Sequence, residues 1–396
     1  MQTKLIFILT ENGLQINMTP KERLNAAMNL EQVDKIPLMC QFSIGHMLLQ
    51  LNVSPSEFWF DPKIYSDGLI TLREIYGFDG ILISLHGHDP EWRKKVLRVV
   101  KESEQEIVEW QNGDKTFCPY NDLPFFEFRN QKEEIDINTL SPDDLPAELN
   151  YIPVSQNLHF LINSGHKFDV IEDIVNRAGS EFSIHGEITS PFDYLLDYLG
   201  LDNAMLALID TPEKCLMILS RFTELIKELA LDMCDTGIDA IKISSPFAGS
   251  GFISPEDYQR FVLPFEKEIA TAVRSRNVHI YTHTCGAIND RLELMFEAGI
   301  SGIECLDPPP LGNVELKDAV ERIGNKGFIK GNIDSVNLLL NSSREEILED
   351  VKKRIQIGRL KKGFILSTAC SIAPPVKREN ILLLREALDK SGQPIK

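Results

Sequence analysis

His283 and Cys285 stand two residues apart in the run Tyr281-Thr282-His283-Thr284-Cys285-Gly286. In extended backbone, side chains two apart project to the same face, so this imidazole and this thiol can reach one ion together. Gly286 then lets the chain turn sharply. Cys370 ends another short apolar run much later in the chain, Phe364-Ile365-Leu366-Ser367-Thr368-Ala369-Cys370. One imidazole and two thiolates suit zinc, and three protein ligands leave the fourth position open, as catalytic zinc requires. Zn2+ with two thiolates and a neutral imidazole is formally neutral. A substrate thiol at the open position would lose its proton and remain nucleophilic near neutral pH. Such an electron-rich site favours alkylation, whereas hydrolytic zinc sites more often use histidine and carboxylate. By spacing alone a His-x-Cys pair is more often structural, and Cys305 is a rival third ligand that reads equally as a small buried hydrophobe.

Other chemistry-bearing residues fall near the same kind of position. Glu187 and Glu304 are catalytic candidates: an acid/base for the thiol proton, a fourth zinc ligand, or ion-paired carboxylates. Glu304 ranks first because its strand directly follows that of His283. His86 and His88, again two apart, are candidates for cofactor or substrate contact. Asn332 and Asp334 are further cofactor-binding candidates that could equally begin a helix as N-cap residues. Cys40 reads like Cys305, and Cys118, Cys215 and Cys234 read as inert.

The elements that must position these groups alternate regularly. Eight short apolar, β-branched runs recur at 35–42, 80–84, 182–186, 240–244, 278–282, 302–305, 327–331 and 363–367. Helical patterns at 66–76, 211–235, 255–275, 288–298, 314–323, 344–358 and 378–390 separate most of them. Eight strands alternating with helices predict an α/β fold, a (β/α)8 TIM barrel, whose catalytic residues sit at the C-terminal ends of the strands. The candidates above lie at those ends. No Gly-x-Gly-x-x-Gly follows an early strand, which leaves dinucleotide binding without support. Residues 91–150 break the rhythm and read as an insertion after the second strand, with a hairpin turn at Gln111-Asn112-Gly113-Asp114 and an acidic surface loop at 141–146. Residues 1–17 read as a poorly specified extension. The barrel domain spans 18–396 and opens on a capping box, Thr19-Pro20-Lys21-Glu22.

Composition sets limits on partners. Lys and Arg number 41 against 59 Asp and Glu, a formal net charge of −18, which excludes nucleic acid and anionic membrane surfaces as expected partners. No apolar run approaches the roughly 20 residues of a membrane helix. Seven widely spaced cysteines without an export signal predict free thiols or metal ligands in a reducing, cytoplasmic setting.

The same residues carry a resemblance. Met18-Thr19-Pro20-Lys21-Glu22-Arg23-Leu24, Asp34-Lys35-Ile36-Pro37, Ile253-Ser254-Pro255-Glu256-Asp257-Tyr258, His283-Thr284-Cys285-Gly286, Lys330-Gly331-Asn332-Ile333-Asp334 and Cys370-Ser371-Ile372-Ala373-Pro374-Pro375 resemble the uroporphyrinogen decarboxylase superfamily, and within it the cobamide-dependent methyltransferase branch. The resemblance implies a TIM barrel, zinc on His283, Cys285 and Cys370, and methyl transfer between a methyl-corrinoid carried by a partner protein and a thiol or a pterin acceptor. It also admits two alternatives: porphyrinogen decarboxylation, and a catalytically inactive corrinoid-handling barrel. The decarboxylase resembles this chain in fold but binds its acidic substrate with arginines on the loop after the first strand. Here that loop is Gln41-Phe42-Ser43-Ile44-Gly45-His46-Met47, without arginine.

Overall fold

A computed structural model of the chain describes residues 6–10, 13–130, 135–154 and 158–391. Seven of the eight expected strands form one parallel sheet in sequential order: Gly80–Ile83, Ser183–Thr189, Ala240–Ser244, His279–Thr284, Gly302–Cys305, Phe328–Ile333 and Phe364–Thr368. We refer to them as the second to eighth strands. The expected first strand is reduced to isolated parallel bridges, Leu38 with Leu366 and Phe42 with Ile372. Pro37 lacks the N–H that a regular ladder needs there. Even so, Met39 N donates to Leu366 O (3.0 Å) and Asp79 N to Leu38 O (2.8 Å), so this segment joins the eighth strand to the start of the second and closes the curled sheet. Four strands end later than their apolar runs suggested, and in three of them Glu187, His283 and Asn332 therefore lie within the strand and not after it.

The helices follow the expected pattern with two corrections. The predicted 255–275 helix is broken into Pro255–Phe261 and Leu263–Arg274, since Pro264 cannot donate within a continuous helix. The 288–298 helix shrinks to Leu292–Met295 and one 3-10 turn. No described helix is long and apolar enough to cross a membrane.

The barrel floor is built by the first helix, Pro20–Met28. Its capping box forms as expected, with Glu22 N donating to Thr19 Oγ1 (3.2 Å) and Thr19 N to Glu22 Oε2 (2.9 Å). Leu24, Ala27 and Met28 pack with Met39, Ala240, Tyr281, Phe328 and Ile365, which enter from the strands above. Arg23 pairs with Asp34 and Asp79 (both 2.6 Å), and Lys21 with Asp239 (2.9 Å). In the preceding extension, Ile6–Thr10 pairs antiparallel with Gly13–Asn17, and the rest of 1–12 lies outside the described residues.

The insertion is a four-stranded antiparallel sheet, Val96–Lys101, Gln105–Trp110, Lys115–Pro119 and Phe125–Glu127. The expected turn at 111–114 is present, with Gly113 at φ +93°. The non-barrel segment continues past the expected limit at 150, because Tyr151–Val154 pairs with Leu158–Leu161. Of the acidic loop, Pro142–Asp144 forms a 3-10 turn.

Behind the fourth strand sit two buried acids. Glu266 has neither carboxylate oxygen hydrogen-bonded among the described residues, and Asp193 accepts from Ser190 Oγ (2.5 Å). Burial pushes them up to about 7 and about 8 respectively. Each therefore keeps its proton in the folded chain at pH values where the unfolded chain has lost it. The folded state binds more protons across that window, and its stability falls as pH rises. Glu266→Gln is expected to flatten the decline between about pH 5 and about pH 7 by about 1 kcal/mol per pH unit. Urea unfolding of both proteins across that range checks this, and parallel curves would contradict it.

Candidate active site

The site grows from a lateral row across three adjacent strands. Parallel register sets His283 beside Glu304, and Glu304 beside Lys330. All three are buried. His283 Nδ1 lies 3.0 Å from Glu304 Oε2, and Glu304 Oε1 pairs with Lys330 Nζ. A second row begins one strand earlier, where Glu187 is the register partner of Lys242. Lys242 Nζ is 3.1 Å from Glu187 Oε1 and 3.8 Å from Glu304 Oε2, and donates to Gln41 Oε1 at 2.8 Å. Ser84 Oγ donates to the other oxygen of Glu187. Two glutamates and two lysines thus balance in charge inside the barrel.

Burial alone would neutralise Glu304, but Lys330, Lys242 and His283 hold its carboxyl well below the usual range. With Nδ1 tied to Glu304, the imidazole turns Nε2 toward the thiols. His283 Nε2 lies 3.3 Å from Cys285 Sγ, and Cys285 Sγ 3.9 Å from Cys370 Sγ. Gly286, at φ +75°, turns the chain away, and its N–H donates to Asp307 Oδ2 at 2.7 Å. The expected trio therefore converges. Cys305 competes for the third place, because the donor atoms of His283, Cys285 and Cys305 all lie within 4.8 Å of one another. Cys305 is wholly buried, with its thiol pushed up to about 12 by burial, whereas Cys285 and Cys370 are partly accessible. A site that must admit a substrate needs ligands on its open side.

This donor set fits zinc on the chemistry of its atoms: a ring nitrogen oriented by a carboxylate, and sulfurs on the same side. Carboxylates behind a metal-bound histidine typically contribute about 10–100-fold in metal affinity. Glu304→Gln is accordingly expected to weaken zinc retention by about that factor with both thiols intact, measured by competition with a chromogenic chelator.

The remaining candidates separate. Asn332 has its side chain engaged with Leu306 O (3.0 Å) and with Arg354, so it braces the neighbouring loop. Asp334 accepts from Val336 N (2.9 Å) and Asn337 N (2.7 Å), the capping role, although the residues after it form a turn and not a helix. His86 Nδ1 bonds Lys167 O (2.8 Å) and its ring stacks on Phe168. His88 lies among aromatic rings of a separate cavity. Asn332 and Asp334 thus have their side chains engaged by the chain around them, and His88 lines a cavity whose walls do not include the His-Cys cluster. Sequence reasoning passed over Lys242 and Lys330. The signal was available: strands of a parallel barrel are buried on both faces, so a lysine inside one demands an acidic partner.

A family model described as "Uroporphyrinogen decarboxylase (URO-D)" matches residues 142–391. The methylcobamide:CoM methyltransferase MtbA of Methanosarcina acetivorans is 24% identical over 368 residues, covering 92% of this chain and 95% of that protein. The uroporphyrinogen decarboxylase of Thermodesulfovibrio yellowstonii is 26% identical over 253 residues, covering 62% of this chain and 67% of that one. Among solved structures, a methyltransferase from Methanosarcina mazei superposes with a TM-score of 0.70 at 20% identity, covering 95% of this chain and 99% of that one. This likeness shows a shared fold.

Proposed function

Because the chain belongs to the uroporphyrinogen decarboxylase family, we propose that it is the family's methyltransferase kind, a zinc-dependent enzyme that moves a methyl group between a corrinoid carried on a partner protein and a thiol. The observation that carries this reading is the convergence of His283, Cys285 and Cys370, with Glu304 behind the imidazole. The near full-length match to a relative named for methylcobamide and coenzyme M supports the same chemistry.

His283 Nε2 and the sulfurs of Cys285 and Cys370 would hold the zinc. When bound, zinc would keep an incoming thiol as the nucleophilic thiolate. Glu304 holds the His283 ring by Nδ1 and so fixes which nitrogen faces the sulfurs. Lys330 and Lys242 keep Glu304 ionised in this role. Glu187, less deeply buried than Glu304 and held by Lys242 at 3.1 Å, would be the base that takes up the proton released by the thiol and returns it to solvent. The site needs reduced cysteines, which the cytoplasm maintains.

Decarboxylation has less support. The Gln41–Met47 loop offers no arginine, and the lysines inside the barrel already have glutamate partners.

The test is zinc content with X-ray absorption, followed by methyl transfer from methylcobalamin to a small thiol. About one zinc per chain in a two-sulfur, one-imidazole shell, with thiol-dependent demethylation, is the expected result. Zinc without transfer to any thiol would reduce the protein to a binding role. Transfer to tetrahydrofolate alone would replace the thiol by a pterin.

A further inference from the structure

The chain contains three tryptophans, Trp59, Trp92 and Trp110, and all three line one half-open cavity of about 670 Å³ between the insertion and the helix Pro55–Phe60. Phe60, Phe126 and Phe160 add further ring surface to its walls. Phe60 meets Trp110 edge to face at 81° with centroids 4.9 Å apart, and stacks on Trp92 at 5.3 Å. The volume is that of a small-molecule site, and such sites are mostly apolar with a few placed polar groups.

Those polar groups are present and unused. Trp92 Nε1 is buried without a hydrogen-bond partner among the described residues. The ring nitrogens of His88 are buried as well, with the Trp59 backbone the polar group beside them. Buried donors without partners are uncommon in folded proteins and call for an explanation. His88 is packed against Tyr65 and Phe160 at ring distances of 5.1 and 4.8 Å, and burial keeps it neutral, so it offers one N–H and one lone pair.

The charged groups that line the cavity are Asp89, Lys95 and Asp114. Asp89 pairs with Lys95 (2.6 Å), Asp114 accepts from Asn112 Nδ2 (2.7 Å) and Arg129 N (2.9 Å), and Arg93 covers a face of Trp92 at 4.7 Å. Asp114 has no ion-pair partner among the described residues, so a cationic guest is the rival that the titration has to exclude.

We propose that this cavity is a second binding site, separate from the His-Cys cluster, for an uncharged planar aromatic molecule bearing an oxygen, as in a phenol or an aryl ether. The rings supply stacking surface, and the indole N–H and neutral imidazole supply the contacts to the oxygen.

Since every tryptophan of the chain lines the cavity, intrinsic fluorescence reports on it directly. Phenol and anisole, titrated into the full-length protein and followed in parallel by calorimetry, should saturate, and should bind at least about tenfold more tightly than cyclohexanol. Trp92→Phe keeps a ring but removes the N–H, and should weaken both arenes by about 3–10-fold, the worth of one hydrogen bond. Trp110→Leu, which removes a wall, should weaken both arenes as well, and far-ultraviolet circular dichroism would verify that each variant is folded. Three results would overturn the proposal: no saturable binding of either arene, cyclohexanol binding as well as phenol, or tetramethylammonium saturating where the arenes do not.

Discussion

Cys285→Ala and Cys370→Ala should each lose zinc on dialysis and lower thiol methylation by at least about 100-fold, more than the loss of a carboxylate behind the metal. Cys305→Ala should keep both properties. The reason is directional. Cys285 and Cys370 stand 3.9 Å apart on the accessible side, whereas Cys305 is enclosed beneath them. Metal content by mass spectrometry and methylcobalamin turnover separate the three variants. If Cys305→Ala loses zinc and Cys370→Ala keeps it, the site is the enclosed trio of His283, Cys285 and Cys305, and its open side has to be sought elsewhere.

Lys330→Met should destabilise the fold by about 3–5 kcal/mol, because it leaves Glu304 buried without its main cation. Lys242 remains near Glu304, but at 3.8 Å and shared with Glu187. Adding Glu304→Gln to Lys330→Met should recover about 1–3 kcal/mol, since the amide no longer needs a counter-charge. Urea unfolding of the single and double variants measures both quantities. A loss below about 1 kcal/mol, or simple additivity, would show that the pair is not coupled as described.

Much of this architecture was legible before any coordinates. Eight apolar runs located seven regular strands and one interrupted segment, and the alternation of helices and strands identified the barrel. His283 and Cys285 were readable because two-residue spacing has a fixed meaning in a strand. Cys370 was readable because its run was another strand end. What stayed hidden was lateral. That Glu304 sits beside both His283 and Lys330 depends on the register between strands, which no local pattern specifies. The breadth of the apolar runs also misled: Asn332 was expected after a strand, but lies within one and faces a loop and Arg354. The aromatic cavity joins residues from 59 to 164, and only folding of the insertion brings its three tryptophans together.

The join between Leu38 and Leu366 has a bearing on how the protein is made. A ribosome delivers the first barrel segment early and its neighbour hundreds of residues later. Until then the sheet has two raw edges, each able to template pairing with another chain. Cys370 lies just beyond Leu366. The stretch that seals the ring is therefore the one that delivers the expected last zinc ligand. If zinc binds as proposed, a nascent chain holding only His283 and Cys285 has two of its three ligands, and loading of the metal would belong to the final step of assembly and report that the ring has closed.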